Sequence, residues 1–179
     1  MLIVIVLLYL QFLENNELKM DHIIYTDGSC HSILKIGGWA SAIFVGEEKI
    51  ILKGMVKDTT HQRMELLAVI ESLSYVRANF QRQGRTVIYT DSQYVVNIPI
   101  RKEKMKAAGF LTKKELPVRN DDLVKELIGF IESMEVTFNK VKAHQKGDAH
   151  QNQNHEVDVL ARQIIRDHKR SMETRSTLS

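Results

Sequence analysis

Ile24-Tyr25-Thr26-Asp27 recurs further along the chain as Ile88-Tyr89-Thr90-Asp91. Each phrase closes an apolar, β-rich run with a carboxylate, over His22 to Asp27 and Arg85 to Asp91. Turn or helix-start residues follow each run, Gly28-Ser29 in one case and Ser92-Gln93 in the other. Both runs read as buried strands. Side chains alternate faces along a strand, so two strands in the same phase aim Asp27 and Asp91 to one side. As parallel neighbours they bring the carboxylates together at the carboxyl end of a sheet, where open α/β folds bind ligands. Two carboxylates at close range repel, and a divalent cation is the most direct remedy. The plainer alternative is that each Asp caps a strand or the next helix.

Working outward, Gly37 to Val45 and Ile50 to Val56 are two more β-rich runs around Gly46-Glu47-Glu48-Lys49, which predicts an antiparallel hairpin. From Arg63 to Phe80 the period becomes helical, with Leu66, Val69, Ile70, Leu73, Val76 and Phe80 on one stripe. Gly84 ends that helix before the second strand. A strand, a helix and a strand in succession favour parallel pairing with a right-handed crossover. Ser92 to Ile98 reads as a short helix stopped by Pro99, and Arg101 to Ala108 as a basic helical segment ending at Gly109. Asn120 to Ser133 is a further helix and Val136 to Val141 a last strand. Val157, Leu160, Ala161, Ile164 and Ile165 stripe a C-terminal helix. These elements predict one domain, a mixed sheet flanked by helices.

A chain of 179 residues suits a single core, and 44% hydrophobic with 26% charged residues is ordinary for a soluble protein. A net charge of +3 permits a nucleic-acid partner without indicating one. The lone Cys30 excludes an internal disulfide and fits a reducing compartment, so a cytoplasmic location is expected. Met1 to Leu13 is almost wholly apolar but short for a transmembrane helix, and it lacks the basic leader and cleavage site of a signal peptide. Met20 precedes the first convincing strand. We therefore expect residues 1–20 to be an extension arising from upstream translation, with an extra strand or interaction helix and a membrane anchor as alternatives. The catalytic domain is expected over 21–168. The polar stretch 169–179 reads as a disordered tail.

Two more acids are suggestively placed. Glu65, in the first turn of the long helix, and Asp158, in the first turn of the last, each border an apolar stripe and so can face a shared cleft. Taken singly, each is also explained as a first-turn acid favoured by the helix dipole. Together with the two aspartates they complete a set of phrases: Tyr-Thr-Asp27-Gly-Ser, Thr-Thr-His-Gln-Arg-Met-Glu65-Leu, Tyr-Thr-Asp91-Ser-Gln-Tyr-Val, Val-Lys-Ala-His144 and Asn154-His-Glu-Val-Asp158-Val-Leu-Ala-Arg. In this order the chain resembles type 1 ribonuclease H, the endonuclease that cuts the RNA strand of RNA–DNA hybrids. The resemblance runs from about His22 to His168.

It implies a ribonuclease H-like α/β fold: five strands, the first three antiparallel and the others parallel to the first. It also implies that Asp27, Glu65, Asp91 and Asp158 bind two Mg²⁺ with substrate, Mn²⁺ being a substitute, and that His144 assists turnover. Two ions about 3.5–4 Å apart activate the water and stabilise the leaving 3′-oxygen, leaving 5′-phosphate and 3′-hydroxyl ends. Asp27 is the best candidate to bridge them. An imidazole with a pKa near 6.5 suits proton transfer. His150 and His155 are rivals to His144 for that role, though ordinary surface histidines explain both.

The densest basic region runs from Arg101, Lys102, Lys104 and Lys106 through Lys113, Lys114 and Arg119, with Phe110 inside it. By resemblance it grips the DNA strand, through salt-sensitive phosphate contacts; a solvated amphipathic helix is the bland reading. Thr60 and Asn120 match family positions that hold a DNA phosphate. Gly28, Ser29, Gln62 and Gln93 match the minor-groove region where 2′-hydroxyls are read. His61 replaces a usual Asn, Asp58 replaces a usual basic residue beside Lys57, and the loop from His144 to Asp158 is longer than in bacterial enzymes. The alternative to a monomeric hybrid endonuclease without a stable protein partner is a catalytically weak hybrid-binding module on the same fold.

Overall fold

The computed structural model describes residues 20–80, 83–141 and 149–176. The chain forms β1 (Met20–His31), β2 (Ile36–Val45), β3 (Glu48–Lys57), α1 (His61–Asn79), β4 (Gln83–Thr90), α2 (Gln93–Ala107), α3 (Asp121–Ser133), β5 (Val136–Lys140) and α4 (Ala149–Ser176). The sheet order is β3-β2-β1-β4-β5. β1 and β2, then β2 and β3, pair antiparallel, while β4 lies parallel to both β1 and β5. The parallel neighbours inferred from the repeated phrase are therefore present, with Ile24 opposite Ile88 and Tyr25 opposite Tyr89.

Alternation along β1 divides two cores. Ile24, Ile43 and Ile88 meet Leu66, Val69, Leu73 and Val76 of α1 and Leu127 of α3 on one face. Tyr25, Ala40 and Ala42 meet Val157 and Ala161 of α4 on the other. Small residues let α4 lie against the backbone of β2: a Cβ on Gly38 would stand 2.4 Å from the Ala161 carbonyl oxygen. Among the described residues β3 is an edge strand, whose exposed positions alternate as Lys49, Ile51, Lys53, Met55 and Lys57. The β2–β3 turn is made by Gly46, at φ +59°, and Glu47.

Several expectations are corrected. Gly84 does not end α1, which stops at Asn79, but lies inside β4. Glu65 and Asp158 lie beyond the first turns of their helices, because α1 starts at His61 and α4 at Ala149. β1 does not end at Asp27. Its pairing with β2 continues through His31 opposite Ile36, because only the β4 side is released after Tyr25. Pro99 does not stop a helix either. α2 passes through it to Ala107, forgoing the one backbone bond the missing N–H would make. α4 continues to Ser176 through most of the stretch read as a tail. No helix among the described residues is long and apolar enough to cross a membrane.

Candidate active site

Release of β1 from β4 opens the site. Two residues past the stacked rings of Tyr25 and Tyr89, 5.1 Å between centroids, come Asp27 and Asp91. Beyond Thr90 the chain turns into α2, with the Ser92 N–H donating to Thr90 Oγ1 at 3.1 Å. The Ser92 hydroxyl caps α2 by accepting from the Val95 N–H. It also donates to Glu65 Oε2 at 2.6 Å. Glu65 follows the first turn of α1 (His61–Asn79), which Thr60 caps. The Thr60 hydroxyl accepts from the Arg63 N–H at 3.4 Å, an N-cap arrangement. α1 reaches the sheet because β1 carries Gly28 there: a Cβ at that position would stand 2.3 Å from the Glu65 nitrogen. On the opposite side α4, seated by Val157 and Ala161, presents Asp158.

These elements enclose a cleft of about 260 Å³ lined by Asp27, Gly28, Ser29, His61, Glu65, Asp91, Asp158 and Arg162. All four acids singled out in the sequence are thus brought together. Asp27, Glu65 and Asp158 are buried to within 7–9% exposure, which leaves little water to screen them. Burial, then the charges of Asp91 and Asp158 and a hydrogen bond with the Asp158 side chain, push the Asp27 carboxyl up to about 8, against the opposing Gly28 N–H. Like charges crowded into a buried site favour whatever positive charge can approach them.

The protein supplies one cation and one imidazole of its own. Arg162 Nε lies 2.6 Å from Asp158 Oδ1, and His61 Nε2 lies 3.3 Å from Glu65 Oε1. The hydrogen bond to Glu65 holds the His61 imidazole above its ordinary value despite burial, and the charges of Glu65, Asp27 and Asp91 add to this. Among the described residues no three His, Cys, Asp or Glu side chains converge as a metal-holding group, and two of the acids point oxygens at these groups and at Ser92. The donor set nevertheless fits a hard divalent ion. It offers carboxylate oxygens from four residues, with burial and neighbouring charges holding the Asp27 carboxyl at about 8, around a cleft with room for water.

The remaining sequence candidates divide. Gly28 and Ser29 line the cleft. Gln62 follows His61 in α1 and carries a buried side-chain oxygen. Gln93 binds Asn97 and accepts from Lys140 at 2.7 Å. Thr60 and Asn120 begin α1 and α3, which Arg63 and Asp122 join through a two-point ion pair at 2.6 and 2.9 Å. The Asn120 amide donates to the Tyr94 hydroxyl at 3.3 Å. Lys102 and Lys106 both turn to Glu132 of α3, while Lys104 is exposed. Phe110 packs on the core with Lys125 5.4 Å over its ring. Asp58 is exposed, with φ +51°. His144 lies outside the described residues. His150 does not face the cleft: its ring stacks on Tyr89 at 4.4 Å, and Nδ1 meets the Tyr25 hydroxyl. His155 is exposed.

Sequence reasoning missed Arg162 and Ser92. Each had a signal, the (i,i+4) spacing of Arg162 from Asp158 and the position of Ser92 directly after Asp91.

Comparison with known proteins adds an independent line. The family model described as RNase H matches residues 19–166. A ribonuclease H of Prosthecochloris aestuarii is 35% identical over 150 residues, covering 82% of this chain and 97% of the relative. One from Syntrophomonas wolfei is 38% identical over 148 residues, covering 80% and 95%. The fold resembles a crystal structure of a type 1 RNase H with the type 2 active-site motif, at TM-score 0.69 and 22% identity, covering 82% of this chain and 72% of that one. It also resembles a foamy viral protease-reverse transcriptase in complex with RNA/DNA hybrid, at TM-score 0.64 and 18% identity, covering 81% and 20%.

Proposed function

The chain belongs to the ribonuclease H family, and on that premise we propose that it is an endonuclease hydrolysing the RNA strand of RNA–DNA hybrids with two Mg²⁺, or Mn²⁺ in their place, leaving 5′-phosphate and 3′-hydroxyl ends. The observation that carries this reading is the convergence of Asp27, Glu65, Asp91 and Asp158 on one cleft with the Asp27 carboxyl driven up to about 8. These four residues would hold the ions. Bound there, divalent cations supply the Lewis acidity that activates a water and neutralises a leaving oxygen.

The protein's part is to hold the oxygens ready. Asp27, central on β1, contributes to either side of the cleft. Ser92 fixes one oxygen of Glu65, leaving the other beside His61. Partial burial of Asp27, Glu65 and Asp158 weakens solvent screening, so charges placed here interact strongly at short range. His144 moves protons during turnover. Exposed lysines on and after α2, Lys104 foremost, hold the DNA strand, with Thr60 and Asn120 at a phosphate and Gly28, Ser29, Gln62 and Gln93 along the minor groove. The catalytic unit is 21–168, acting as a monomer in the cytoplasm.

The test is cleavage of a labelled RNA–DNA hybrid with Mg²⁺ or Mn²⁺, beside single-stranded RNA, RNA duplex and DNA duplex. Hybrid-only cleavage, absent from Asp27→Asn and Asp91→Asn, is expected. His144→Ala should retain cleavage at a rate lower by about a hundredfold, the smaller end of what general acid–base groups contribute. Hybrid binding without cleavage under either metal would replace the enzyme with a binding module.

A further inference from the structure

Two pairs of an acidic and a basic side chain with the same (i,i+4) spacing line the cleft: His61–Glu65 on α1 and Asp158–Arg162 on α4. The second is the closer, at 2.6 Å, and its cation is an arginine, charged at every accessible pH. The two partners are unequally held. The Asp158 side chain is 12% exposed, whereas that of Arg162 is 48% exposed and has open solvent to move into.

We propose that Arg162 is a displaceable counter-cation, competing with a divalent metal ion for the Asp158 carboxylate. The inference rests on the metal-dependent reading above. With the guanidinium Nε–H on Oδ1, one of the oxygens a hard cation needs is already engaged and its charge compensated. An incoming ion must therefore loosen the arginine before it gains the full field of Asp158. Linkage makes the effect reciprocal: whatever strengthens the arginine contact weakens the ion, and the reverse. In the metal-free protein the same contact offsets repulsion among the buried acids. The cleft is thereby stable without its cofactor, and the price is lower cofactor affinity.

The experiment is calorimetric titration of the full chain with Mn²⁺, for wild type, Arg162→Gln and Arg166→Gln. Arg166 lies one turn further along α4 and bonds Gln163, so its variant reports the loss of one positive charge without the contact. Thermal unfolding in chelator and in saturating Mn²⁺ accompanies it. Arg162→Gln should bind Mn²⁺ about two- to fivefold more tightly than wild type, the range of a partly exposed ion pair, and more tightly than Arg166→Gln. It should also melt below wild type in chelator, with the gap closing as Mn²⁺ saturates. Affinity no greater than that of Arg166→Gln, weaker binding than wild type, or a melting gap indifferent to Mn²⁺ would each overturn the proposal. Failure of wild type itself to bind Mn²⁺ would instead remove the metal-dependent reading beneath it.

Discussion

Gly28 shows how little slack the site has. A methyl group there would stand 2.3 Å from the Glu65 nitrogen and 2.4 Å from the Met64 carbonyl carbon, both backbone atoms of α1. Gly28→Ala must therefore push the first turn of α1 away and carry Glu65 with it. We expect a loss of about 2 kcal/mol in urea unfolding, within the range for overpacking, and a fall in hybrid cleavage out of proportion to it. A variant with near-normal activity would show that Glu65 has more freedom than its surroundings suggest. His22 lies further back on the same face of β1, against Phe80. It is fully buried, and neither ring nitrogen has a hydrogen-bond partner among the described residues. Burial lowers its pKa, partly offset by Asp21. The unfolded imidazole takes a proton near pH 6.5 and the folded one only at lower pH. Below about 6.5 the unfolded state thus binds more protons, and stability falls as pH drops toward the folded pKa. Unfolding midpoints measured from pH 7.5 to 5 should fall less steeply in His22→Leu than in wild type.

At the level of elements, the contacts that hold α4 include His150 against Tyr25 and Tyr89 near its start and Ala161 against Gly38 further on. Asp158 lies between them. Tyr25→Phe keeps the ring and removes the hydroxyl, so it should cost about 1 kcal/mol in chemical denaturation, the net value of one hydrogen bond. No loss would mean that stacking alone seats His150. The helix also marks where the sequence was legible and where it was not. The stripe from Leu66 to Val76 was readable because every member meets the same core, and the doubled Ile-Tyr-Thr-Asp phrase gave the parallel pair its register. Glu65 and Asp158 were findable because each borders a stripe whose other side had to face the sheet. The ends of elements were not. Nothing local in Lys169 to Ser176 distinguishes a solvated helix from a tail, since the difference is continuation from a helix already nucleated upstream. Pro99 reads as a stop on propensity alone, yet neighbours on both sides keep α2 intact. His150 escaped because its partners lie far away in sequence, joined only once the sheet exists.

Across the whole molecule, charge is arranged more economically than composition suggests. Of the basic residues on α2, Lys102 and Lys106 are both turned to Glu132, so the lysines that the sequence offers to a nucleic acid are partly restrained by the protein itself. Glu132→Gln should free them. We expect tighter hybrid binding and a steeper dependence of log Kd on log salt, whereas Lys104→Ala should make that slope shallower by about one phosphate contact. Fluorescence anisotropy over a salt series measures both, and an unchanged slope in the two variants would put the DNA strand elsewhere. The edge at β3, unpaired among the described residues, has a consequence of its own. A bare strand edge invites a second copy to add its own strand, backbone to backbone. Lys53 and Lys57 stand exposed along this one. Two such edges brought together would set ammonium groups side by side at the spacing of neighbouring strands, about 4.8 Å. The same lysines that leave the edge soluble thus make the protein its own poorest partner, and crowding at high ionic strength, where that repulsion is screened, is where self-association through β3 would first emerge.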